Sequence, residues 1–75
     1  METKTLDVCG EIYPDPLTLT MGEMNRLNRG DHLKVTLDSP MALETITCWA
    51  EKSGHRLIQT QETGPGQWEI TLEKV

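Results

Sequence analysis

The sequence predicts a two-layer α/β sandwich of order βαβαββ, in which a four-stranded mixed sheet carries two helices on one face. Two segments have apolar residues at helical spacing, and they separate segments in which apolar and polar residues alternate. Right-handed crossovers place both helices on one side of a sheet when the strands that they connect are parallel. A chain of 75 residues with 36% hydrophobic residues can fill one thin core, so we expect a single domain over residues 1–75.

The first strand and the first helix are predicted from two apolar stripes. Residues 3–8 alternate, with Leu6 and Val8 on one face, and predict a strand. A helix is predicted over residues 14–28, and it stops before Gly30. Gly22 lies inside this helix, where it costs up to about 1 kcal/mol against alanine, so we expect a close contact there. The apolar stripe of the helix consists of Leu17, Met21, Met24 and Leu27.

Cap and turn residues mark the remaining elements. Residues 32–37 alternate and predict the second strand. Ser39 and Pro40 are typical of a helix start, because serine caps free N–H groups and proline suits the first helical position. Gly54 suits the left-handed residue that ends this second helix. The last two strands are predicted over residues 55–62 and 67–74, with a turn over residues 63–66.

Charge and hydropathy exclude several classes of function. The net charge is -5, and phosphate backbones are bound mainly by Lys and Arg, so we expect no direct nucleic-acid partner. No window approaches the ~20 apolar residues that a membrane span needs. The N-terminal residues METKTLD form no apolar signal segment. We therefore expect a cytoplasmic domain that is not embedded in a membrane.

The stretch GEIYPDPL, residues 10–17, predicts a rigid corner at the start of the first helix. Proline holds the residue before it extended, so Pro14 places Tyr13 at or next to the helix N-cap. The N–H groups and dipole of a helix start favour an anion such as a thiolate, a persulfide or a phosphate. Asp15, expected in the first turn, counters this field only in part. A phenol has a pKa near ~10 and gains little from the field, whereas a cysteine would be activated.

The two cysteines do not form a disulfide framework, although a bridge between Cys9 and Cys48 is one alternative. Cys9 is either a replacement nucleophile or a small buried hydrophobic residue. Cys48 is interpreted as structural or incidental. The cysteines have no metal-ligand spacing with His32 and His55, so we expect no metal site and no cofactor. Three methionines are expected in the core first, with a soft apolar partner surface as the alternative: Met21, Met24 and Met41.

The stretch LDVCGEIYPDPL resembles the signature of the TusA/SirA-like sulfur-carrier family, Leu-Asp-x-x-Gly-x-x-Cys-Pro-x-Pro. The matching positions are Leu6, Asp7, Gly10, Pro14 and Pro16. The resemblance covers essentially the whole chain, and its further matches are Gly30, Asp31, Asp38, Ile46, Trp49, Gly54 and His55. Within the family the chain is most similar to the YeeD branch, whose members accompany a membrane thiosulfate importer.

The resemblance implies the βαβαββ fold and a function in sulfur transfer. In the family, the motif cysteine accepts sulfur as a persulfide from a donor and passes it to an acceptor protein or an oxidised sulfur substrate. That cysteine corresponds to Tyr13, which cannot form a persulfide, and a second cysteine of some members corresponds to Ser39. The implied partners are sulfur donor and acceptor proteins and the importer, with thiosulfate or a persulfide as the small-molecule substrate.

Three hypotheses follow from this replacement. The first is a sulfur carrier or sulfurtransferase-like domain that is inactive at Tyr13, with Gly10, Pro14, Asp15 and Pro16 shaping the site. The second is a non-catalytic binding or regulatory module that docks a protein at the same corner, with Tyr13 as an aromatic contact. The third assigns the nucleophile to Cys9. Activity as a sulfurtransferase depends on which hypothesis holds.

Overall fold

The computed structural model describes residues 2–10 and 15–75 and has the predicted element order. The element bounds are β1 Thr3–Asp7, α1 Pro16–Arg26, β2 His32–Leu37, α2 Pro40–Lys52, β3 Arg56–Gly64 and β4 Gln67–Glu73. The four strands form one sheet of order β1-β2-β4-β3. The predicted fold class, with two helices on a mixed four-stranded sheet, is confirmed.

The strand directions explain where the helices lie. β1 pairs parallel with β2, and β4 pairs antiparallel with both β2 and β3, so β3 also runs parallel to β2. Both helices therefore belong to crossovers between parallel strands, and such crossovers are right-handed in nearly all proteins. The two helices also contact each other. They form one layer over the sheet, as in other two-layer α/β folds.

Alternation along the central strands builds the core. In β2, Leu33, Val35 and Leu37 are fully buried, and the residues between them are more exposed. These three pair with residues of β4 that include the buried Ile70 and Leu72. The helices cover this face with a set of buried side chains: Met24 and Leu27 from the first helical segment, Ile46 and Ala50 from α2. The apolar pattern of β2 thus predicted its core face correctly.

The start of α1 differs from the prediction. The helix begins at Pro16, two residues later than expected, because Asp15 has extended backbone (φ -70°, ψ 162°) and is the N-cap. Its Oδ1 accepts a hydrogen bond from the Thr18 N–H at 2.7 Å. Asp15 is therefore not in the first turn, and Tyr13 precedes the cap by two residues in the sequence. Tyr13 and Pro14 themselves lie outside the described residues.

Two expectations about packing in the helices are wrong. Of the three methionines, Met24 is buried, whereas Met21 is 38% and Met41 is 77% exposed. Met41 precedes Ala50 by nine residues, which at 100° per residue places it on the opposite face of α2 from the core. The Met41 side chain therefore does not belong to the core. Gly22 does not mark a close contact, since a Cβ placed there would have no atom within 4 Å.

The C-terminal hairpin is longer than predicted. β3 extends to Gly64, so the turn is confined to Pro65 and Gly66, and Gly66 has φ +73°. β3 lies at an edge of the sheet, and its register with β4 shifts once near each end. Such bulges twist an edge strand away from the flat geometry that would pair with another chain. Within the described part of the chain, no helix is long and apolar enough to cross a membrane.

A buried carboxylate joins the start of β1 to the loop between α1 and β2. Asp31 is 5% exposed, and its two oxygens accept the backbone N–H groups of Glu2 and Asn28, both at 2.9 Å. The bond from Asn28, followed by that from Glu2, holds the pKa of Asp31 below its usual value. A carboxylate with a lowered pKa in the folded state stabilises the fold when it is ionised.

We predict that Asp31→Asn lowers the Tm by several degrees at neutral pH, because the asparagine amide offers one acceptor where two N–H groups need one each. The wild-type advantage should persist above the usual carboxyl pKa of about 4 and disappear as the pH falls through the lowered pKa. Thermal unfolding of both chains across this range measures it. An equal difference in Tm at neutral and strongly acidic pH would contradict the assignment.

Candidate functional site

Two helix N-termini meet at one edge of the molecule. Because β1 and β2 are parallel, their carboxyl ends lie at the same edge, and the helix that follows each strand starts there. A cleft of about 240 Å³ lies between the two helix starts. Its described lining residues are Asp15, Pro16 and Leu17 from the start of α1, and Ser39, Met41, Ala42 and Thr45 from the start of α2.

The two helix starts are built in the same way. Asp15 and Ser39 are extended N-caps, and each is followed by a proline at the first helical position, where a missing N–H costs nothing. Ser39 Oγ accepts the Ala42 N–H at 3.3 Å, and Asp15 accepts its third-position N–H in the same pattern. The bond from Thr18 lowers the pKa of Asp15, which keeps this cap ionised. The dipoles of both helices direct partial positive charge towards the cleft, and the ionised Asp15 offsets part of it.

Two carboxylates fix the chain where it leaves β1. Asp7 Oδ1 accepts the Cys9 N–H at 2.9 Å, two residues along the chain. Asp38 Oδ2 accepts the Gly10 N–H at 3.0 Å, and Asp38 directly precedes the Ser39 cap. Gly10 has φ +76°, a left-handed conformation that favours glycine. The bond from Gly10 to Asp38 thus ties the segment leading to α1 to the segment leading to α2.

Cys9 is a half-buried free thiol at this edge. Burial raises the pKa of Cys9 to about 11, helped by hydrogen bonding with Asp7 and by the charges of Asp7 and Asp38. At neutral pH the side chain is therefore a thiol and not a thiolate. Cys48 is also free, and it is exposed on the outer face of α2. The alternative of a Cys9–Cys48 disulfide is thus absent from the structure.

The structure brings most of the predicted site residues together. Asp15, Pro16 and Ser39 line the cleft, and Gly10 is bonded to the residue before Ser39. Tyr13 and Pro14 fall outside the described residues, so their assignment stays a prediction. Across residues 2–10 and 15–75, no group of three or more His, Cys, Asp or Glu side chains is arranged to hold a metal ion.

Sequence reasoning missed two contributors to the site. Asp38 was identified only as a family match, and its bond to Gly10 joins positions 28 residues apart, which no local pattern reveals. Met41 was expected in the core, although its place directly after the Ser39–Pro40 start put it within one turn of the helix N-terminus. The Asp-x-x-Gly spacing of residues 7–10 and the Asp-Ser-Pro of residues 38–40 are the signals that would have found this edge.

We predict that Ser39→Ala destabilises the chain by about 1 kcal/mol, since alanine leaves the Ala42 N–H without its side-chain acceptor. Ser39→Gly should cost only a few tenths of a kcal/mol, because glycine is itself a good N-cap. Urea unfolding of the three chains measures both differences. If the alanine and glycine variants were equally stable, the cap would contribute nothing measurable.

Comparison with known proteins agrees with this architecture. The family described as Sulfurtransferase TusA matches residues 4–74. A protein of Thermotoga maritima, provisionally named a sulfur carrier protein, is 38% identical over 71 residues, which are 95% of this chain and 90% of that protein. TsuB of Escherichia coli K12, named in the same provisional way, is 34% identical over 74 residues and 99% of both chains.

A solved structure supports the fold independently. The crystal structure of a SirA-like protein from Desulfitobacterium hafniense superposes with a TM-score of 0.82 at 22% identity, covering 93% of this chain and 95% of the other. At that identity the likeness concerns the fold alone. The family match spans nearly the whole chain, and two relatives exceed 30% identity over almost their full lengths. The chain therefore belongs to the TusA family of sulfur carriers.

Proposed function

We propose that this chain is a sulfur-carrier domain of the TusA type whose sulfur-accepting position is occupied by Tyr13, and that it does not carry a persulfide there. The observation that supports this most is the convergence of the two capped helix starts on one cleft. Position 13 precedes the first of these caps by two residues in the sequence. Partial positive charge at helix starts stabilises anionic sulfur, as at the reactive cysteines of other proteins.

The chemistry of the family needs a thiolate at this position. A thiolate attacks the outer sulfur of thiosulfate, the sulfur–sulfur bond of thiosulfate breaks, and sulfite leaves with the electron pair. The product is a persulfide, and the charges on the two sides are equal. A phenol oxygen forms no such persulfide, and a helix start cannot shift a pKa of about 10 enough to make it nucleophilic at neutral pH.

The proposed setting is cytoplasmic sulfur trafficking. The family implies donor and acceptor proteins, and the YeeD-like branch adds a membrane thiosulfate importer as a partner. Thiosulfate or a persulfide is the proposed small-molecule substrate of the site. Gly10, Pro14, Asp15 and Pro16 would shape the corner, and Ser39 stands where some members have a second cysteine. The net charge of -5 disfavours direct contact with nucleic acid.

A cysteine at position 13 should restore sulfur uptake. We predict that Tyr13→Cys, incubated with thiosulfate or a persulfide donor, gains one sulfur atom that a reductant removes. The unchanged chain should gain none at this edge, because its phenol cannot react and Cys9 is held as a thiol, and Cys48→Ser removes any uptake at the exposed Cys48. Intact-mass spectrometry before and after reduction measures both samples.

Two matched controls locate the sulfur. Cys9→Ser and Cys48→Ser, each combined with Tyr13→Cys, should take up sulfur to the same extent as Tyr13→Cys alone. Uptake by the unchanged chain that disappears with Cys9→Ser would assign the nucleophile to Cys9 and overturn the proposal. Uptake by none of the chains would leave the fold without its family chemistry and favour the second function below.

The second candidate function is a non-catalytic module that docks a protein partner at the same corner. The observation in its favour is the 77% exposure of Met41 beside Pro16, Leu17 and Ala42 in the cleft. Methionine is flexible and polarisable, so it packs against partner surfaces of different shapes. In this reading, Tyr13 supplies an aromatic contact in place of a reactive thiol.

The docking function predicts a partner that contacts α2 near its start. A photo-crosslinking residue in place of Met41 should capture one protein in cells, and Tyr13→Ala should reduce this capture several-fold. The same residue in place of Glu51, which is exposed near the C-terminal end of α2, is the control position. Capture of the same protein from both positions, or no effect of Tyr13→Ala, would contradict a specific docking site at the cleft.

A further inference from the structure

We infer that Asp7 and Asp38 together hold Cys9 in an unreactive form, so that the one free thiol at this edge takes no part in sulfur chemistry. This inference rests on the proposed function. It explains why Cys9, four residues before the proposed sulfur position in the sequence, does not compete for sulfur. The residues that it concerns act on the thiol and touch no substrate. They are therefore specificity-determining and not catalytic residues.

Carboxylates occupy the backbone donors next to the Cys9 sulfur. A thiolate beside a tight turn is stabilised when consecutive N–H groups point at it. The two N–H groups nearest in sequence to the Cys9 side chain are its own and that of Gly10. Asp7 accepts the first at 2.9 Å and Asp38 accepts the second at 3.0 Å. Both donors are thus bonded to carboxylates and are not available to the sulfur.

Negative charge near Cys9 also opposes formation of its thiolate. The same two bonds place two carboxylates beside Cys9, one from the end of β1 and one from the residue that follows β2. The bond from Cys9 lowers the pKa of Asp7, so Asp7 is ionised at neutral pH. Negative charge disfavours a thiolate nearby, and partial burial disfavours it further, which agrees with a Cys9 pKa raised to about 11.

The cleft between the two helix starts differs from the surroundings of Cys9 in its electrostatics. Asp15 and Ser39 each accept a hydrogen bond from only one backbone N–H at their helix starts. The helix dipoles remain directed at the cleft. At the cleft the dipoles of two helices favour anionic sulfur and the single carboxylate of Asp15 offsets part of that effect, whereas two carboxylates oppose a thiolate at Cys9.

The experiment uses alkylation by iodoacetamide in a chain that carries Cys48→Ser, so that Cys9 is the only thiol. The inflection of the rate against pH should lie near the raised pKa of about 11. In the same chain, Asp7→Asn retains an oxygen that accepts the Cys9 N–H but removes the charge. We expect the inflection of the Asp7→Asn chain to move to lower pH. Its alkylation rate at about pH 8 should rise about threefold for each unit by which the Cys9 pKa falls, because the larger thiolate fraction outweighs the lower nucleophilicity of the thiolate.

Further variants make the result decisive. Asp38→Asn should shift the inflection in the same direction. This variant tests the inference if Asp7→Asn fails to fold. Glu51→Gln, near the C-terminal end of α2 and so at the far end of that helix from Asp38, removes a charge elsewhere and should leave the profile unchanged. Folded Asp7→Asn and Asp38→Asn chains with the parent profile would overturn the inference. Because the chain keeps Tyr13 and meets no sulfur donor, this outcome is independent of whether the proposed sulfur function holds.

Discussion

The parallel pairing of β1 with β2 is the constraint on which the rest of the molecule depends. It places the carboxyl ends of both strands at one edge, and the chain must start a helix after each strand to return over the sheet. Two helix starts, two strand ends and their loops are therefore brought together by topology alone. In open α/β sheets this edge is the usual location of binding sites.

The two halves of this edge follow one local plan. An aspartate that accepts a backbone N–H lies at the end of β1 or directly after β2, and each helix begins with a side-chain cap and a proline: Asp7 and Asp38, Asp15 and Ser39, Pro16 and Pro40. These local interactions fix where each helix begins, independently of contacts with the hydrophobic core. The bond between Gly10 and Asp38 then couples the halves, so the geometry of one helix start depends on the other.

Local patterns predicted most of the fold. They failed where contacts with other parts of the chain determine a residue's position or role. The alternation of β2 gave its bounds and its buried face, since Leu33, Val35 and Leu37 have only one way to face the helices. The start of α1 was misplaced because both Pro14 and Pro16 suit a first helical position, and only the Asp15 cap distinguishes them. The role of Asp38 required knowing that β1 and β2 are neighbours, and exposure of Met41 required knowing which face of α2 meets the sheet.

The helix caps of this edge stabilise the fold whether or not sulfur is carried, so they favour neither a carrier nor a docking module. What distinguishes the two is the charge at individual sulfur positions. A carrier benefits when a thiol close in sequence to its sulfur-accepting position is kept unreactive, whereas a docking module gains nothing from this. Asp7 and Asp38 beside Cys9 provide suppression. This arrangement beside Cys9 is what the proposed carrier function requires, and a docking module does not require it.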